Sequence, residues 1–156
     1  MMLWVENTEL VAEWVKARIP HMNGGDFGRC WATGILLDGR LIAGCVYHNY
    51  CPQYSSCDIS FAADTPKWMA RSVVHDLFAG AFYGMDVNRV SMMTPTDASR
   101  TRKTLEGLGM TLEGVGRKVF GDKDAAVYSL LRHEWETGRW FMKGPPHGEV
   151  KSARAD

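Results

Sequence analysis

Apolar residues recur at helical spacing near the start of the chain. Asn7 is a residue type that caps helices, and Pro20 is a stop signal that follows the apolar positions. A helix from Asn7 to about Arg18 is therefore predicted, with one face on a core. Its apolar positions are Leu10, Val11, Trp14 and Val15.

A longer apolar stripe predicts a second helix that begins at Thr65 and Pro66. Threonine is a favoured N-cap and proline a favoured first helical residue, while Gly84 is placed to end the helix. The stripe is spaced for one helix face. It comprises Ala70, Val73, Val74, Leu77, Phe78, Ala81 and Phe82.

Strands are predicted on either side of this helix. Residues 31–37 and 41–50 flank Asp38-Gly39 and predict a hairpin, and residues 57–63 predict a third strand. Residues 89–94 predict a short buried strand.

After that strand, Pro95 to Ser99 turns into a helix that ends near Leu108-Gly109. A strand, helix, strand, helix order predicts parallel pairing between the two strands. Residues 115–120 and 125–131 flank the turn 121–124 and predict a closing antiparallel hairpin.

Composition favours a single globular domain. The chain has 156 residues, 46% hydrophobic and 23% charged, which suffices for one sizeable core. We expect one domain over residues 1–142 and a flexible tail over 143–156, since the tail is polar and rich in glycine and proline.

The charge balance and the hydropathy of the chain indicate its cellular location and the kinds of binding partner it has. Lysine plus arginine, 18, equals aspartate plus glutamate, 18, so no summed positive field favours nucleic acid. No apolar run approaches the roughly 18 residues of a membrane helix, and the first residues lack the pattern of a signal peptide. We expect a cytoplasmic protein without a membrane partner. Its four cysteines are then expected as reduced thiols.

Four segments add a family resemblance to this order of elements. Residues 105–117, Leu-Glu-Gly-Leu-Gly-Met-Thr-Leu-Glu-Gly-Val-Gly-Arg, resemble a signature of the GNAT N-acetyltransferases, with Met110 where the family has phenylalanine. Residues 124–130 and 57–61 are similar to strands of ribosomal-protein-type members. Trp68-x-x-Arg71 resembles phage-encoded members. The resemblance implies an α/β (α+β) GNAT fold: a mixed central sheet with antiparallel N-terminal strands, a parallel pair in the middle and helices on both faces.

The resemblance also implies acetyl-CoA as the acyl donor. The family's diphosphate loop has two glycines, but residues 67–72 have none, so the backbone there approaches phosphate less freely. We expect the start of the helix and two cations, Lys67 and Arg71, to hold the diphosphate. The predicted coenzyme-binding residues of this segment are Lys67, Trp68, Met69, Ala70, Arg71 and Ser72.

Further coenzyme contacts are predicted on the central strand and the second helix. The resemblance implies that a backbone amide among Ser60, Phe61 and Ala62 polarises the thioester carbonyl. Near the second helix, Ser99 and Arg102 are predicted to contact the coenzyme. Arg102 belongs to a basic run with Arg100 and Lys103, which either binds the 3'-phosphate or forms a solvated helix face.

Two side chains are predicted to be catalytic. Asp58 lies where related enzymes carry a glutamate, so it is the candidate base for the amine proton; the alternative is a solvated or cross-strand-paired aspartate. Tyr128 is the candidate acid for the leaving thiolate, with Tyr47 as an alternative, although tyrosines on strands commonly serve packing.

The acceptor site is expected near His48 and Tyr50, at a strand end where acceptors enter related enzymes. Cys45, His48, Cys51 and Cys57 suggest a zinc site, but Cys45 and His48 would point to opposite faces of one strand. No metal is therefore predicted.

The sequence thus predicts an N-acetyltransferase that acts on a primary amine of a small molecule or a protein terminus. The alternative is a non-catalytic acyl-CoA-binding or interaction module on the same fold, because the loop glycines are missing. Many members of the family pair, so a homodimer is one expected assembly.

Overall fold

The computed structural model describes residues 1–22 and 25–143 and the backbone of residues 151–153. Within these residues one mixed sheet of eight strands has the order β6-β7-β5-β4-β3-β2-β1-β8. The strands are β1 (Met2–Val5), β2 (Cys30–Leu37), β3 (Arg40–Cys51), β4 (Ser56–Ala63), β5 (Arg89–Pro95), β6 (Thr111–Phe120), β7 (Lys123–Leu131) and β8 (Lys151–Ala153).

Four α-helices accompany the sheet in the described part of the chain: α1 (Thr8–Lys16), α2 (Arg71–Phe82), α3 (Ser99–Gly107) and α4 (Arg132–Glu136). Short 3-10 turns lie at Pro20–Met22, Pro52–Tyr54 and Pro66–Trp68. None of these helices has the length and apolar character that crossing a membrane requires.

The predicted mixed sheet is confirmed. β2, β3 and β4 pair antiparallel in sequence order, and β4 pairs parallel with β5. The turn between β2 and β3 is at Asp38 and Gly39, whose φ angles of 50° and 82° are those of a tight hairpin turn. Helices lie on both faces, since the buried residues of α1 and α2 belong to separate clusters.

The first helix begins where the sequence predicts. The Asn7 side chain accepts a hydrogen bond from the Leu10 backbone N–H at 3.1 Å, and Val11 and Val15 are fully buried. Two glycines of the sheet allow a close approach, because a Cβ at Gly44 would lie 2.6 Å from a Val15 methyl, and one at Gly34 would lie 3.0 Å from Val11. α1 therefore packs directly on the backbone of β2 and β3.

The second helix begins later than predicted. The Thr65 side chain caps the 3-10 turn, accepting from the Lys67 N–H at 3.4 Å, and α2 itself starts at Arg71. Met69 and Ala70 leave helical geometry, with ψ angles of 44° and 144°. Trp68 is buried with its ring 4.4 Å from that of Phe61. We infer that burial of this ring on the sheet accounts for the break between the 3-10 turn and α2. The segment therefore contains two helix starts, one at the 3-10 turn and one at α2.

Some elements have no clear sequence signal. β1 is four residues long and pairs with β2, and α4 is a five-residue helix that follows β7 directly. β6 begins at Thr111, earlier than the predicted residue 115. In the expected tail, residues 144–150 and 154–156 lie outside the described residues, while the backbone of Lys151–Ala153 pairs with β1.

The core has two unequal parts, one on each face of the sheet. The larger part packs α2 and Leu105 of α3 against the sheet. We call this the α2 face. The smaller part packs α1 and Phe27 against Ala32 and Val46, and we call it the α1 face.

Candidate functional site

The parallel strands β4 and β5 separate after three residue pairs. Their register runs from Ser56 opposite Arg89 to Asp58 opposite Ser91. Beyond that point β4 continues to pair with β3, and β5 continues to pair with β7. The two strands therefore diverge within the sheet, and a cleft opens between their facing edges.

One part of the cleft, which we call the central cavity, has a volume of about 760 Å³. It is bounded by the diverging strands, the residues that follow α1, the start of α3 and the turn between β6 and β7. Its lining includes Arg18, Ile19, His21, Ile59, Ser60, Phe61, Met92, Met93, Thr94, Pro95, Thr101, Leu105, Phe120 and Lys123.

A second part, the helix-side cavity, has a volume of about 640 Å³. It shares Arg18, Phe61 and Thr101 with the central cavity, so the two are continuous. Its other lining residues belong to the end of β4, the 3-10 turn and α3. They are Ala62, Ala63, Asp64, Thr65, Pro66, Trp68, Met69, Arg100 and Thr104.

A third part, the loop-side cavity, has a volume of about 300 Å³ and lies on the α1 face. It shares His21, Ile59, Ser60, Met93 and Phe120 with the central cavity. Its remaining lining is Met22, Gly25, Asp26, Phe27, His48, Asn49, Asp58 and Ser91. One cleft thus joins the start of α3 to Asp58 through the gap between β4 and β5.

Asp58 is held by a distortion of the neighbouring strand. The register of β3 and β4 shifts between His48 and Cys51, and Asn49 has a φ of 49°. The Asn49 side-chain amide donates to Asp58 Oδ2 at 2.8 Å. Bulges of this kind redirect side chains and are enriched near functional sites. The role of Asn49 was not predictable from the sequence, because the bulge depends on pairing with β4.

His48 lies beside Asp58 in the same cavity. Its Nε2 is 2.8 Å from Ser60 Oγ, and its ring centroid is 5.2 Å from that of Phe27. Burial lowers the pKa of His48 below its ordinary value of 6.5, although the nearby Asp58 charge opposes the shift. The structure therefore brings together three predicted residues, Asp58, His48 and Ser60.

Arg18 is the cation at the junction of the central and helix-side cavities. Its guanidinium donates from Nε and Nη2 to the two carboxylate oxygens of Asp64 at 2.8 and 3.1 Å. It also lies 3.6 Å from the centroid of the Trp14 ring. The Arg18 hydrogen bonds lower the pKa of Asp64. Sequence analysis did not select Arg18, since it is 46 residues from Asp64 and meets it only in the folded sheet.

The predicted diphosphate residues are divided by the break before α2. Trp68 and Met69 line the helix-side cavity, whereas Lys67, Ala70, Arg71 and Ser72 are not among its lining residues. The Arg71 guanidinium donates instead to the Phe141 carbonyl at 2.9 Å. Three residues of β4 were predicted to contact the coenzyme. Ser60 and Phe61 line the central cavity, and Phe61 and Ala62 line the helix-side cavity.

Tyr128 lies outside the lining of the three cavities and is fully buried. Its hydroxyl donates to Glu106 Oε1 and accepts from Arg102 Nε, each at 3.0 Å. Arg102 also donates to the Thr96 carbonyl at 3.0 Å. These bonds join α3 to β7. They favour a structural role for both side chains over the predicted roles in acid catalysis and coenzyme binding.

The hydroxyls of the other two predicted tyrosines, Tyr47 and Tyr50, also lie beside backbone carbonyls outside the cleft. The buried Tyr47 hydroxyl donates to the Leu77 carbonyl at 2.6 Å. Tyr50 is half exposed, and its hydroxyl is 3.4 Å from the Met85 carbonyl, away from the lining of the loop-side cavity.

A basic groove of about 510 Å³ lies along α3 and shares Met69, Arg100 and Thr104 with the helix-side cavity. Three cations line it: Arg100, Lys103 and Arg139. The predicted Ser99 is part of the same lining, and Arg100 also lines the helix-side cavity. Arg139 was not predicted because it follows α4; its guanidinium donates to the Gly107 carbonyl at 2.7 Å, which places it beside α3.

The four cysteines are free thiols. Burial raises the pKa of Cys45 and of Cys57 to about 12, so both are protonated at neutral pH. Cys45 belongs to the core of the α2 face, whereas His48 lines the cavity on the α1 face. They therefore lie on opposite sides of the sheet.

No protein-family model and no curated protein sequence matches the chain. Solved structures do match it. Mutant forms of the spermidine/spermine N-acetyltransferase SpeG from Vibrio cholerae superpose with a TM-score of 0.69 at 8% identity, over 86% of this chain and 97% of that chain.

Two further matches are acetyltransferases of known structure. The ribosomal-protein-S5-alanine acetyltransferase from Vibrio fischeri gives a TM-score of 0.58 at 18% identity, over 68% of this chain and 63% of that one. A GNAT-family acetyltransferase from Bacillus anthracis gives 0.54 at 20% identity, over 64% and 65%. This chain thus covers less than two thirds of the length of these two relatives, and at such identities the likeness is one of fold.

Proposed function

We propose that this chain, which has the fold of the GNAT acetyltransferases, moves an acetyl group from acetyl-CoA directly to a primary amine. The observation that carries the proposal is the divergence of β4 and β5 into a cleft that crosses the sheet. One end of this cleft has cations and the starts of helical segments, and the other has a carboxylate and a neutral histidine. A donor and an acceptor can therefore enter from opposite ends and meet at Ser60.

The central cavity fits the acyl arm of the coenzyme. Acetyl-CoA would supply a thioester, whose carbonyl carbon is the electrophile. Ile59 to Ala63 of β4 have no partner in β5, so their backbone groups on that side can contact the arm. We assign polarisation of the carbonyl to a backbone amide among Ser60, Phe61 and Ala62, as the family resemblance implies.

The helix-side cavity and the basic groove fit the phosphates. Arg18 and Arg100 both line the helix-side cavity, and Arg100 continues into the groove with Lys103 and Arg139. Phosphate oxygens accept charge-assisted hydrogen bonds from such cations. We therefore assign the diphosphate to Arg18 and Arg100 and the 3'-phosphate to the basic groove. This assignment moves the charge from the predicted Lys67 and Arg71 to the segment after α1, to α3 and to Arg139.

Asp58 is the proposed base. An amine enters as an ammonium ion, and Asp58 removes one proton, directly or through water. The nitrogen then forms a bond to the acetyl carbon, the carbon–sulfur bond breaks, and the thiolate takes the second proton that the nitrogen releases. The Asn49 amide holds one oxygen of Asp58, which fixes the direction of the carboxylate.

The general acid is not assigned to Tyr128. Its hydroxyl already contacts Arg102 and Glu106, and it lies outside the lining of the cleft. The proton balance above needs no separate acid, because the nitrogen supplies the proton that the thiolate requires.

Thermal unfolding with and without acetyl-CoA tests the coenzyme part of the proposal. A ligand at 100 times its dissociation constant stabilises the native state by about 2.7 kcal/mol. We expect a rise in Tm that grows with the acetyl-CoA concentration, and release of free thiol when a primary amine is added. An unchanged Tm at millimolar acetyl-CoA would contradict the proposal.

A second candidate function is a non-catalytic acyl-CoA-binding module. It is favoured by the absence of glycines in residues 67–72 and by the engagement of the Tyr128 hydroxyl. This candidate predicts the same rise in Tm without thiol release for any amine. The two readouts together therefore separate an enzyme from a binding module.

A further inference from the structure

The loop-side cavity has the chemistry of a site for a positively charged, apolar amine. Two carboxylates line it: Asp58 from β4 and Asp26 from the loop before β2. Asp58 is half-buried, and the exposed Asp26 lies at the entrance. An incoming ligand therefore meets one negative charge at the mouth and a second beside Ser60.

No lysine or arginine lines this cavity in the part of the chain that the structure describes. Its two histidines, His21 and His48, have pKa values lowered by burial, so both rings are neutral at pH 7. The two carboxylates therefore set the sign of the field in the cavity, and a cation is favoured over an anion.

Two cations on neighbouring strands, Lys123 and Arg89, are each paired with a carboxylate. Lys123 Nζ lies 3.1 Å from Asp97, and the Arg89 guanidinium makes two hydrogen bonds to Glu113, at 2.6 and 2.9 Å. Paired charges partly cancel at the distance of the cavity. Lys123 still helps to lower the pKa of His21, and Arg89 interacts with Asp58, so these cations offset part of the charge of the two carboxylates.

The walls of the cavity are apolar and aromatic. Phe27 and Phe120 contribute rings beside His48 and His21, at centroid distances of 5.2 and 4.2 Å. Met22 and Met93 complete the apolar lining. Aromatic faces attract cations, and methionine side chains adapt to ligand shape. The volume, about 300 Å³, is at the lower end of the range for small-molecule pockets.

We propose that the acceptor is a small cationic arylalkylamine: a primary amine on a short carbon chain that ends in an aromatic ring, with no carboxylate beside the nitrogen. This inference rests on the proposed function and specifies its acceptor. The ammonium group lies at Asp58 before it loses its proton, and the ring lies among Phe27, Phe120 and the two methionines. A carboxylate beside the amine would face Asp58 and Asp26, and this like-charge contact excludes α-amino acids.

Tyramine and tyrosine form a matched pair of probes, because they differ only in the carboxylate. Their binding to the full chain is measured by calorimetry, with and without coenzyme A, so that the result does not depend on turnover. We expect tyramine to bind at least about tenfold more tightly than tyrosine. Acetylation of the two compounds is measured in parallel by release of free thiol.

Asp26→Asn and Asp26→Lys test the charge at the entrance. Asp26 Oδ1 accepts from the Gly28 N–H at 2.8 Å, a bond that an asparagine oxygen can keep, so the loop should persist in Asp26→Asn. We expect the preference for tyramine to shrink in Asp26→Asn and to shrink further in Asp26→Lys. Glu9→Lys on the exposed surface of α1 is the matched control and should leave the preference unchanged.

The outcomes separate this inference from the proposed function. Equal binding of tyramine and tyrosine, or a preference that Asp26→Lys does not alter, overturns the inference. Acetylation of both compounds at similar rates overturns it as well, while the proposed function stands. Selective binding of tyramine without thiol release supports the cationic site and contradicts the proposed transfer.

A short peptide with an N-terminal tyrosine and an amidated C-terminus represents a protein terminus. It keeps the amine and the ring and removes the carboxylate. Tighter binding of this peptide than of tyramine overturns the proposal of a small acceptor, and weaker binding supports it.

Discussion

Four consecutive residues of β4, 57–60, place their side chains in different surroundings on the two faces of the sheet. On the α2 face Cys57 and Ile59 are buried in the large core. On the α1 face Asp58 and Ser60 line the cleft. Alternate side chains of a strand point to opposite faces, so one short segment supplies both core packing and candidate chemistry. Substitutions on the two faces should therefore separate stability from activity.

The largest expected effect comes from Asp58→Asn on the cleft side. Loss of a general base lowers turnover by about 10²- to 10⁴-fold. The Asn49 contact can persist, since an asparagine oxygen also accepts, so stability should change by less than about 0.5 kcal/mol. Steady-state kinetics and urea unfolding measure the two quantities. Glu9→Gln on the exposed surface is the control, and an unchanged kcat in Asp58→Asn would remove this residue from the mechanism.

In the core of the α2 face, Phe82→Ala should lower stability and leave coenzyme binding unchanged. Phe82 is fully buried, and its ring lies 5.2 Å from that of Trp135. Truncation of such a ring costs about 3–5 kcal/mol, which urea unfolding measures. The folded fraction should bind acetyl-CoA as the parent does, because the cleft is not lined by Phe82. Tyr83→Phe, which removes only a hydroxyl bonded to Glu136, is the milder control. A loss in Phe82→Ala below about 1 kcal/mol would contradict this account.

The coenzyme end of the cleft is tested by comparing Arg18→Ala with Arg71→Ala. Hydrogen bonds to charged groups are worth roughly 1.5–3 kcal/mol, so Arg18→Ala should weaken coenzyme A binding by about tenfold or more. Arg71→Ala should have little effect, because this guanidinium contacts Phe141. Calorimetry measures both affinities.

Arg18→Ala also leaves Asp64 without its partner, so the double variant with Asp64→Ala is needed. Its affinity should remain low if Arg18 contacts phosphate. If Arg71→Ala weakens binding more than Arg18→Ala, the helix-start cations predicted from the sequence are the phosphate ligands after all.

The smallest expected effects are those of pH on the half-buried His48 on the α1 face and the buried His75 on the α2 face. His48 lines the cleft, and burial lowers its pKa below 6.5. We expect kcat/KM to hold from neutral pH to about 6.5 and to fall as pH drops through the lowered pKa, because a charged ring repels a cationic acceptor. His48→Gln should reduce this fall, and the double variant with His21→Gln, the other lining histidine with a lowered pKa, should abolish it. A pH profile that is identical in parent and variant would exclude His48 as its source.

His75 on the α2 face should affect stability instead. Its Nδ1 accepts from the Met142 N–H at 2.9 Å, and burial lowers its pKa. The unfolded chain therefore takes up a proton near pH 6.5 before the folded chain does, and stability should fall between pH 6.5 and the lowered pKa. Urea unfolding at several pH values measures this loss. The exposed His133→Gln is the control, and a loss of equal size in His75→Gln would contradict the assignment.

Much of the fold was predictable because its signals are local. The cap at Asn7, the turn at Asp38-Gly39 and the stripe of α2 depend on neighbours a few residues away. The start of α2 was misplaced for the opposite reason: Trp68 packs on Phe61 of another element, and this contact accompanies a break that the threonine and proline did not indicate.

The site was predictable in part. Asp58, Ser60 and His48 were selected through the family resemblance, and strand alternation put Asp58 and Ser60 on one face; the structure places all three in the lining of one cavity. Arg18, Asn49 and Arg139 could not. Each reaches the site region through a contact with a distant segment or through a bulge, and no spacing along the chain encodes such a contact.

By itself the sequence determined the order of elements, the parallel pair and the face of each strand residue, since hydrophobic period and turn chemistry act over short distances. Only the tertiary structure decided where β4 and β5 separate, which cations line the cleft, and that the Tyr128 hydroxyl is engaged by α3. These features depend on long-range packing, where the energy of a side chain is set by neighbours that are remote in sequence.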